Sequence, residues 1–353
     1  GALQGREQFG LLNGAGFIGT VVAAVLPVIV AYKVGTSLTI LVPATVLARL
    51  LATLAFVPCV AMSLPLARTG GPARRWIRPL LHYGGWITVT GIVAPIITSL
   101  DRVVIAAISG PVAVTVYTIP SNLANKVSAL PISVVNALFP RLATQYASQS
   151  MTGQAHDLVR GSLAALTAAL TPIYVLGVFL MRPFLRHWIG GDLAASAAPV
   201  GEVLLLALWV NGLAQVPITA LQAQGRPDIP AKFHLAELIP SVLFLGVGLH
   251  AAGVVGAAFA WGLRAVIDTL LLAAAARIPT SAWGTALAGF SFVAAALVVT
   301  LLAPEWGLPR IVSAGVLTVA SCTWAWRVAP LEARTRAQQA GSSVRLMWAA
   351  ARR

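Results

Sequence analysis

Six polar residues recur at helical spacing within residues 112–138, a segment otherwise apolar enough to cross a membrane. Side chains three and four residues apart share one face of a helix, so they are predicted to form a polar stripe. A lysine near the middle of a spanning helix costs about 2.5–3.5 kcal/mol on insertion scales, which disfavours contact of this face with lipid. We therefore expect the stripe to face water, a partner or a transported molecule. It comprises Thr118, Asn122, Asn125, Lys126, Ser133 and Asn136.

Lys126 is the stripe residue that most strongly predicts a hydrophilic interior. It lies near the middle of its predicted span, too deep for its side chain to reach the membrane surface easily, and Asn122 precedes it by one helical turn. We interpret Lys126, Asn122 and Asn125 as lining a cavity. The structural alternative is an ion pair between Lys126 and Asp101 of the preceding predicted span.

Asp101 and Arg102 form a second charged pair, inside the predicted span 80–107. Arg102 lies roughly 9 Å from the outer end of this span, so its side chain either lines a cavity or extends to the membrane surface. Asp101 can neutralise Arg102 or Lys126, or it can exchange a coupling ion. Arginine binds phosphate bidentately and lysine acts as a point charge, so these cations point to an anionic head group.

Three more charged residues lie inside predicted spans. Arg264 and Asp268 are four residues apart, so they either pair with each other or line the cavity together. Arg49 has no acidic residue within one turn of its own helix, which favours a cavity position. Glu237, by contrast, is expected at the solvated cytoplasmic end of a span.

The composition argues against a soluble enzyme or a nucleic-acid-binding domain. The chain is 58% hydrophobic and 10% charged, whereas soluble domains carry about 25% charged residues. The net charge of +14 comes from Lys and Arg that lie mostly in predicted loops and the C-terminal tail. Neither Cys59 nor Cys322 has metal-ligand spacing, and no residue group has that of a catalytic triad. We therefore expect no catalytic residue, no metal and no nucleic-acid partner.

Apolar runs near the length needed to cross hydrocarbon recur along the whole chain, which predicts an all-α integral membrane protein. Assigning alternate loops to alternate sides puts sixteen Lys and Arg on one side and four (Lys33, Arg182, Arg186 and Arg310) on the other. This asymmetry predicts that both ends of the chain are cytoplasmic. The ten predicted spans are residues 9–32, 38–66, 80–107, 112–138, 158–181, 201–222, 233–250, 254–276, 284–302 and 310–328.

An internal repeat predicts two equivalent halves. Residues 2–13 resemble residues 220–234, and each copy precedes two predicted spans, the second of which contains Arg49 or Arg264. Duplicated halves are common in transporters with a site between them. Equivalence would put four further spans before Gly1, so the N-terminal half is predicted to be truncated. The predicted domains are residues 1–67 (end of the N-terminal bundle), 80–276 (a six-helix bundle), 284–328 (two additional helices) and 329–353 (a basic cytoplasmic tail).

Residues 100–143, 220–240 and 253–272 resemble the lipid-linked oligosaccharide flippases of O-antigen and capsule assembly. These belong to the multidrug/oligosaccharidyl-lipid/polysaccharide exporter superfamily. The resemblance covers essentially the whole chain and implies two pseudo-symmetric helical bundles around a central cavity. The matching positions are Asp101, Arg102, Tyr117, Pro120, Phe139, Pro140, Gly225, Arg226, Trp261, Arg264 and Asp268.

The resemblance and the deep cations together predict a flippase for undecaprenyl-diphosphate-linked oligosaccharide in the bacterial inner membrane, working by alternating access. The diphosphate and glycan need a wet, cationic groove, whereas the isoprenoid chain can stay in lipid. The expected partners are the lipid-linked oligosaccharide, membrane lipids, and a polysaccharide polymerase with other assembly proteins. No cofactor is expected beyond a coupling ion, H⁺ or Na⁺. The candidate cavity residues are Lys126, Arg102, Asp101, Asn122, Asn125, Arg49, Arg264 and Asp268.

Two alternative functions fit part of this pattern. A multidrug or lipid exporter of the same superfamily would share the fold, although the deep spans hold only Asp101 and Asp268 against four cations. A membrane-embedded polymer ligase or glycosyltransferase would need a large outer loop with catalytic residues. The longest predicted outer loop, residues 182–200, is short for that role.

Overall fold

The computed structural model describes residues 9–35, 37–54, 56–63, 74–147, 152–303 and 307–329. All regular structure in these ranges is helical. Eight helices are long and apolar enough to cross a membrane by length and composition. Because backbone groups inside hydrocarbon must be paired within the protein, helices are the structure that this composition permits. The predicted class, an all-α polytopic membrane protein, is confirmed.

The helices fall into two compact units, Gly1–Ile77 and Arg78–Arg353. The first unit contains α1–α3, and the second contains nearly all of α4 and every later helix. A 3₁₀ turn, Thr280–Ala282, precedes α9. The helices in the described ranges are α1 (Phe9–Lys33), α2 (Leu38–Leu54), α3 (Phe56–Ser63), α4 (Arg74–Asn125), α5 (Ala129–Ala147), α6 (Thr152–Ile189), α7 (Gly191–Ala223), α8 (Asp228–Ala275), α9 (Trp283–Leu302) and α10 (Leu308–Val328).

Backbone breaks divide α4 and α8 where the sequence predicts the ends of separate spans. In α4, Gly110 has a φ of 81°, and the following Pro111 suits the first turn of a new helix. In α8, Ala252 and Gly253 leave the helical conformation, with a φ of 59° at Gly253. Residues with a Cβ rarely adopt such positive φ values. Among the eight membrane-length helices of the described ranges, counting these two twice gives ten segments, the number that the sequence predicts.

The predicted outer loop 182–200 is wrong. The helix α6 continues to Ile189, and only Gly190 separates it from α7. The prediction ended the span at residue 181 because Arg182 and Arg186 are charged. Arg182 instead lies within α6 beside Glu202 of α7. This acidic partner compensates its charge, so the helix can continue past it.

The predicted span 112–138 is interrupted in the middle. The helix α4 ends at Asn125, residues 126–128 form a turn, and α5 begins at Ala129. Pro131 accounts for part of this break, because its ring has no N–H to offer the carbonyl of Val127 and would clash with it in a continuous helix.

In the first unit, α1 and α2 pack closely. A Cβ on Gly19 would lie 3.2 Å from the Cβ of Ala52, so the two helices approach each other at small residues. Small residues at helix contacts are typical of membrane proteins, where close backbone packing replaces the hydrophobic driving force.

The second unit is built around α7, the most deeply buried of its helices. The indole of Trp209 on α7 donates a hydrogen bond from Nε1 to Oγ1 of Thr171 on α6, at 3.3 Å. The helix α9 meets both residues at Gly289, where a Cβ would lie 2.7 Å from Thr171 Oγ1. These three helices therefore form a close-packed frame for the polar residues of α4, α5 and α8.

Candidate functional site

The break between α4 and α5 lies within the predicted polar stripe. The backbone N–H groups of Lys126, Val127 and Ser128 bond to carbonyls three residues earlier, at 3.1, 3.1 and 3.2 Å. This is the tighter 3₁₀ pattern, which in the middle of a helical segment often marks a hinge. Lys126 therefore lies in a turn, and not in the continuous helix that the sequence predicts.

Proline–glycine contacts fix both sides of this turn against α7. Pro120 of α4 lies where a Cβ on Gly201 would approach it to 2.8 Å, and Pro131 of α5 lies 3.2 Å from the corresponding position on Gly212. No larger residue fits at Gly201 without displacing Pro120. The segments before and after the turn are therefore each packed tightly against α7.

Four predicted site residues at this turn, or hydrogen-bonded to a residue beside it, are exposed, and we call them the polar face: Arg102, Asn122, Asn125 and Lys126. Arg102 donates a hydrogen bond from Nη2 to Oδ1 of Asn122 at 3.1 Å, which joins the two halves of α4 across the Gly110 break. Asn125 donates from Nδ2 to the carbonyl of Ser121 at 2.8 Å.

The two cations of the polar face form no salt bridge with any described residue. Among the described residues, no carboxylate lies within ion-pair distance of Arg102 or Lys126, so the alternative pair between Lys126 and Asp101 is not observed. The stripe residue Thr118 is half-buried. The side chains of Ser133 and Asn136 lie outside the described residues. Arg102 and Lys126 are thus exposed cations without a direct ionic contact to the described part of the chain.

Asp101 is buried behind the polar face. Its Oδ2 accepts a hydrogen bond of 3.4 Å from the hydroxyl of Tyr117. The guanidinium of Arg264 on α8 is near enough to attract the Asp101 carboxylate. Asp101 thus links the polar face to the charged residues of α8.

The helix α8 folds back on itself as a hairpin and brings four charged or titratable residues together. Arg264 Nη1 lies 3.1 Å from Glu237 Oε2, and His234 Nε2 lies 3.8 Å from Asp268 Oδ1. The partners in each pair lie on opposite sides of the break at Ala252–Gly253, as an antiparallel hairpin requires. All four side chains are buried.

Glycines allow the two arms of this hairpin to touch. A Cβ on Gly256 would collide with the carbonyl of Gly248, and a Cβ on Gly248 would collide with that of Gly256. The arms are therefore closer than any side chain permits. This contact sets the register that pairs Glu237 with Arg264.

Two sequence-based expectations for α8 are corrected by this pairing. Arg264 and Asp268 do not pair with each other, because each finds a nearer partner on the opposite arm. Glu237 is buried at 7% exposure, and not solvated at a span end. Spacing within one helix could not reveal these contacts, since they depend on where the hairpin turns.

A cavity of about 230 Å³ opens beside the Glu237–Arg264 pair. Its remaining walls are mainly apolar and include Phe233, Pro240 and Phe244. Within the described chain, no group of three or more His, Cys, Asp or Glu residues is arranged to hold a metal ion. The pair is therefore a partly accessible charged site without a metal-ligand set.

A third charged cluster, which the sequence did not predict, joins α6, α7 and α10. Glu202 Oε1 lies 3.2 Å from Arg310 Nη2 and 3.8 Å from Arg182 Nε. Arg310 also donates from Nη1 to the carbonyl of Ala303 at 3.2 Å. Glu202 and Arg310 are both 0% exposed, so Arg182 and Arg310 are not the outer-loop residues predicted. The sequence contained one indication of this cluster: Glu202 is an acidic residue inside the predicted span 201–222.

Arg49, the remaining predicted site residue, belongs to the first unit, where it is exposed on α2. The opening copy of the repeat up to residue 8 and the basic tail from residue 330 lie outside the described residues.

Comparisons with known proteins agree with the sequence-based family resemblance. A protein from Shigella flexneri named "Putative O-antigen transporter" is 28% identical over 270 residues, covering 76% of this chain and 63% of that protein. The chain thus spans less than two thirds of that relative's length. The fold is similar to that of the lipid II flippase MurJ in its inward closed conformation, with a TM-score of 0.59 and 14% identity over 89% of this chain and 67% of MurJ.

A family model described as "Polysaccharide biosynthesis protein" matches residues 2–193, which is more than half of the chain. The expected family is confirmed. This match identifies the chain as a member of the polysaccharide biosynthesis protein family.

Proposed function

We propose that this chain moves an oligosaccharide linked to undecaprenyl diphosphate across the bacterial inner membrane, as a step in O-antigen or other polysaccharide biosynthesis. The observation that carries this proposal is the polar face: Arg102 and Lys126 are exposed at the break of a membrane-length segment, and within the described chain no carboxylate lies within ion-pair distance of either. The names of the two relatives, an O-antigen transporter and a lipid II flippase, support the same class.

The chemistry of the polar face suits such a head group. Moving a diphosphate through hydrocarbon without compensation is prohibitively costly. The Arg102 guanidinium can bind phosphate oxygens bidentately, and the Lys126 ammonium adds a compact charge. Asn122 and Asn125 offer amide donors and acceptors that can replace water around sugar hydroxyls.

Alternating access is the proposed mechanism, in which the head group reaches each side of the membrane in turn. Broken helices at the site support it, because they allow a local rearrangement without unfolding a complete span. Transport of this kind needs no catalytic residue. We propose Asp101 as the group that exchanges a coupling ion, H⁺ or Na⁺. Membrane lipids and a polysaccharide polymerase with other assembly proteins are the proposed partners.

The test is the loss of surface polysaccharide when each free cation is removed. Lys126→Ala and Arg102→Ala are expected to abolish surface polysaccharide in cells that depend on this protein, with unchanged protein levels in the membrane. Arg160→Ala is the matched control, since Arg160 is exposed and paired with Asp157 near the start of α6. Normal polysaccharide in both cation variants would contradict a cationic site for the head group.

The charge count no longer separates this proposal from a multidrug exporter. Glu202 and Glu237 are buried in addition to Asp101 and Asp268, so interior acids are not scarce. The exposure of the charged side chains distinguishes the two proposals instead. The four interior acids are buried, and two of them, Glu202 and Glu237, pair with arginines, whereas the exposed polar face is cationic and suits an anionic cargo. A ligase or glycosyltransferase also loses its expected location, because residues 182–189 are helical.

A further inference from the structure

The α8 cluster, which consists of His234, Glu237, Arg264 and Asp268, buries a net negative charge when both of its carboxyl groups are ionised. All four side chains are at most 9% exposed. With a neutral histidine, two carboxylates face the single guanidinium of Arg264. An unbalanced charge inside a membrane-length helix is costly. We therefore expect the cluster to take up one further positive charge.

The neighbouring helices do not supply this charge. The helix α7, against which α8 packs, contains no Lys, Arg or His. Its acidic residues are Asp192, which is exposed, and Glu202, which has arginine partners of its own. On α4, Asp101 is a further buried acid, which both Arg264 and Arg102 attract. The charge deficit thus remains within the α8 cluster.

Both carboxyl groups of the cluster also have an oxygen without a hydrogen bond. Glu237 Oε1 and Asp268 Oδ1 are buried, and neither has a hydrogen-bond partner among the described residues. His234 Nε2 lies 3.8 Å from Asp268 Oδ1, which is longer than a hydrogen bond. The Glu237 and Asp268 carboxyl groups are near enough to repel each other when both are charged. Buried polar atoms normally have partners, so these two oxygens call for an explanation.

We infer that Glu237 and Asp268 share one proton and exchange it with water through the cavity beside Glu237. A proton on one carboxyl group makes that group a donor, so its O–H can bond to an oxygen of the other. The same proton removes one negative charge and leaves one carboxylate for the Arg264 guanidinium. Two carboxylates in one site bind a proton between them because both cannot easily be charged. One proton thus satisfies both the charge and the unpaired oxygens.

The cavity provides the route for the proton. Glu237 and Arg264 line it, together with Ser241 as a further polar residue. Asp268 is 2% exposed and is not among the lining residues. A cavity of about 230 Å³ is large enough to hold water. Glu237 is therefore the member of the pair that meets water, and Asp268 is its inner partner.

The proton also affects the acid behind the polar face. Arg264 pairs with Glu237 at 3.1 Å and attracts Asp101. When Glu237 is neutral, its attraction for the guanidinium falls, and Arg264 is left to Asp101 on α4. Proton uptake on α8 is thereby linked to the helix that carries the polar face. The use of this link in transport rests on the proposed function, whereas proton binding itself does not.

Infrared difference spectroscopy tests the shared proton through the carbonyl stretch of a protonated carboxyl group. The whole chain is studied in phospholipid nanodiscs, without substrate, between weakly acidic and alkaline pH, where exposed carboxyl groups stay ionised. The native chain should show this band at the acidic end. Glu237→Gln and Asp268→Asn should each abolish it, because the charges of the cluster then cancel without a proton. Asp192→Asn, which changes an exposed acid of α7, is the control and should keep the band.

Asp268→Asn keeps the contact between Glu237 and Arg264, so it decides the question if Glu237→Gln does not elute as a folded protein. Absence of the band from the native chain would overturn the inference, because His234 would then be the remaining proton carrier. A band that only Asp101→Asn removes would also overturn it. So would loss of the band on adding sodium chloride at constant pH, which would show that Na⁺ balances the charge.

The surface polysaccharide assay separates this failure from that of the proposed function. If the band is absent but Lys126→Ala and Arg102→Ala abolish surface polysaccharide, only the proton site is wrong. Normal polysaccharide in both cation variants would reject the proposed function, and a band that depends on Glu237 and Asp268 would still establish the proton site.

Discussion

The polar face and the Glu202 cluster both contain an arginine within a membrane-length helix, but the charge is compensated differently in the two places. Arg310 is 0% exposed and pairs with Glu202 at 3.2 Å. Arg102 is exposed, and its bond at 3.1 Å goes to a neutral amide. The Arg264–Glu237 pair of α8 follows the first pattern.

This difference separates charges that hold the fold from charges that remain available to a ligand. A buried ion pair is satisfied internally, and removing one partner leaves an uncompensated charge in a low dielectric. An exposed cation bonded to an amide keeps most of its charge for an incoming anion. Stability and transport should therefore respond to different substitutions.

The largest loss of stability is expected at the Glu202 cluster. Glu202→Ala leaves Arg182 and Arg310 facing each other without an acid, which should destabilise the second unit by about 3–5 kcal/mol. Thermal unfolding in detergent measures the change, with Asp192→Ala, an exposed acid on the same helix, as the control. An unfolding temperature equal to that of the control would remove the structural role of this cluster.

The α8 hairpin should show a smaller, conditional effect. Glu237→Gln and Arg264→Gln each leave a buried partner charge and should destabilise the protein, whereas the double variant should recover about 0.5–3 kcal/mol of coupling. A double-mutant cycle on unfolding free energies measures this coupling. Strict additivity would show that the 3.1 Å contact contributes nothing.

Asp101 tests whether a buried acid can serve transport as well as packing. Asp101→Asn keeps the side-chain shape and the bond from Tyr117, so stability should change by about 1 kcal/mol or less. If Asp101 exchanges the coupling ion, transport into vesicles should lose its dependence on an imposed proton or sodium gradient. Transport that keeps the gradient dependence of the native chain would assign Asp101 to packing alone.

The polar face should show the smallest effect on stability. Lys126→Gln and Arg102→Gln are expected to change the unfolding free energy by less than about 0.5 kcal/mol, as for other exposed substitutions. Undecaprenyl diphosphate binding, measured by native mass spectrometry, should nevertheless fall at least about tenfold. A strong destabilisation without loss of binding would show that these two cations stabilise the fold and do not bind the diphosphate.

Local patterns in the sequence predicted the helices and two of the breaks. Gly110–Pro111 and Gly253 interrupt apolar runs, and both positions were correctly predicted as boundaries. The break at Lys126 was not predicted. Residues 112–138 are long enough for one unbroken span, and prolines occur inside membrane helices, so Pro131 alone did not indicate a break. The polar residues around it were identified, since their spacing is visible without knowledge of the break.

Long-range pairing was beyond the sequence. Glu202 and Arg310 are 108 residues apart, and their contact depends on how α10 packs beside α6 and α7. The Arg264–Glu237 pair required the register of the α8 hairpin, which the contact of Gly248 with Gly256 sets. Single-sequence patterns describe one helix at a time, so the only ionic partner they offered for Arg264 was Asp268, the acid on its own helix.

The touching glycines of α8 also have a mechanical consequence. The two arms cannot slide or separate without losing the backbone contact between Gly248 and Gly256, which keeps their ionic partners aligned. We therefore expect the hairpin to move as a rigid unit. Any bending inside the second unit is therefore expected at the three-residue turn beginning with Lys126, where a change of angle would swing the cation itself.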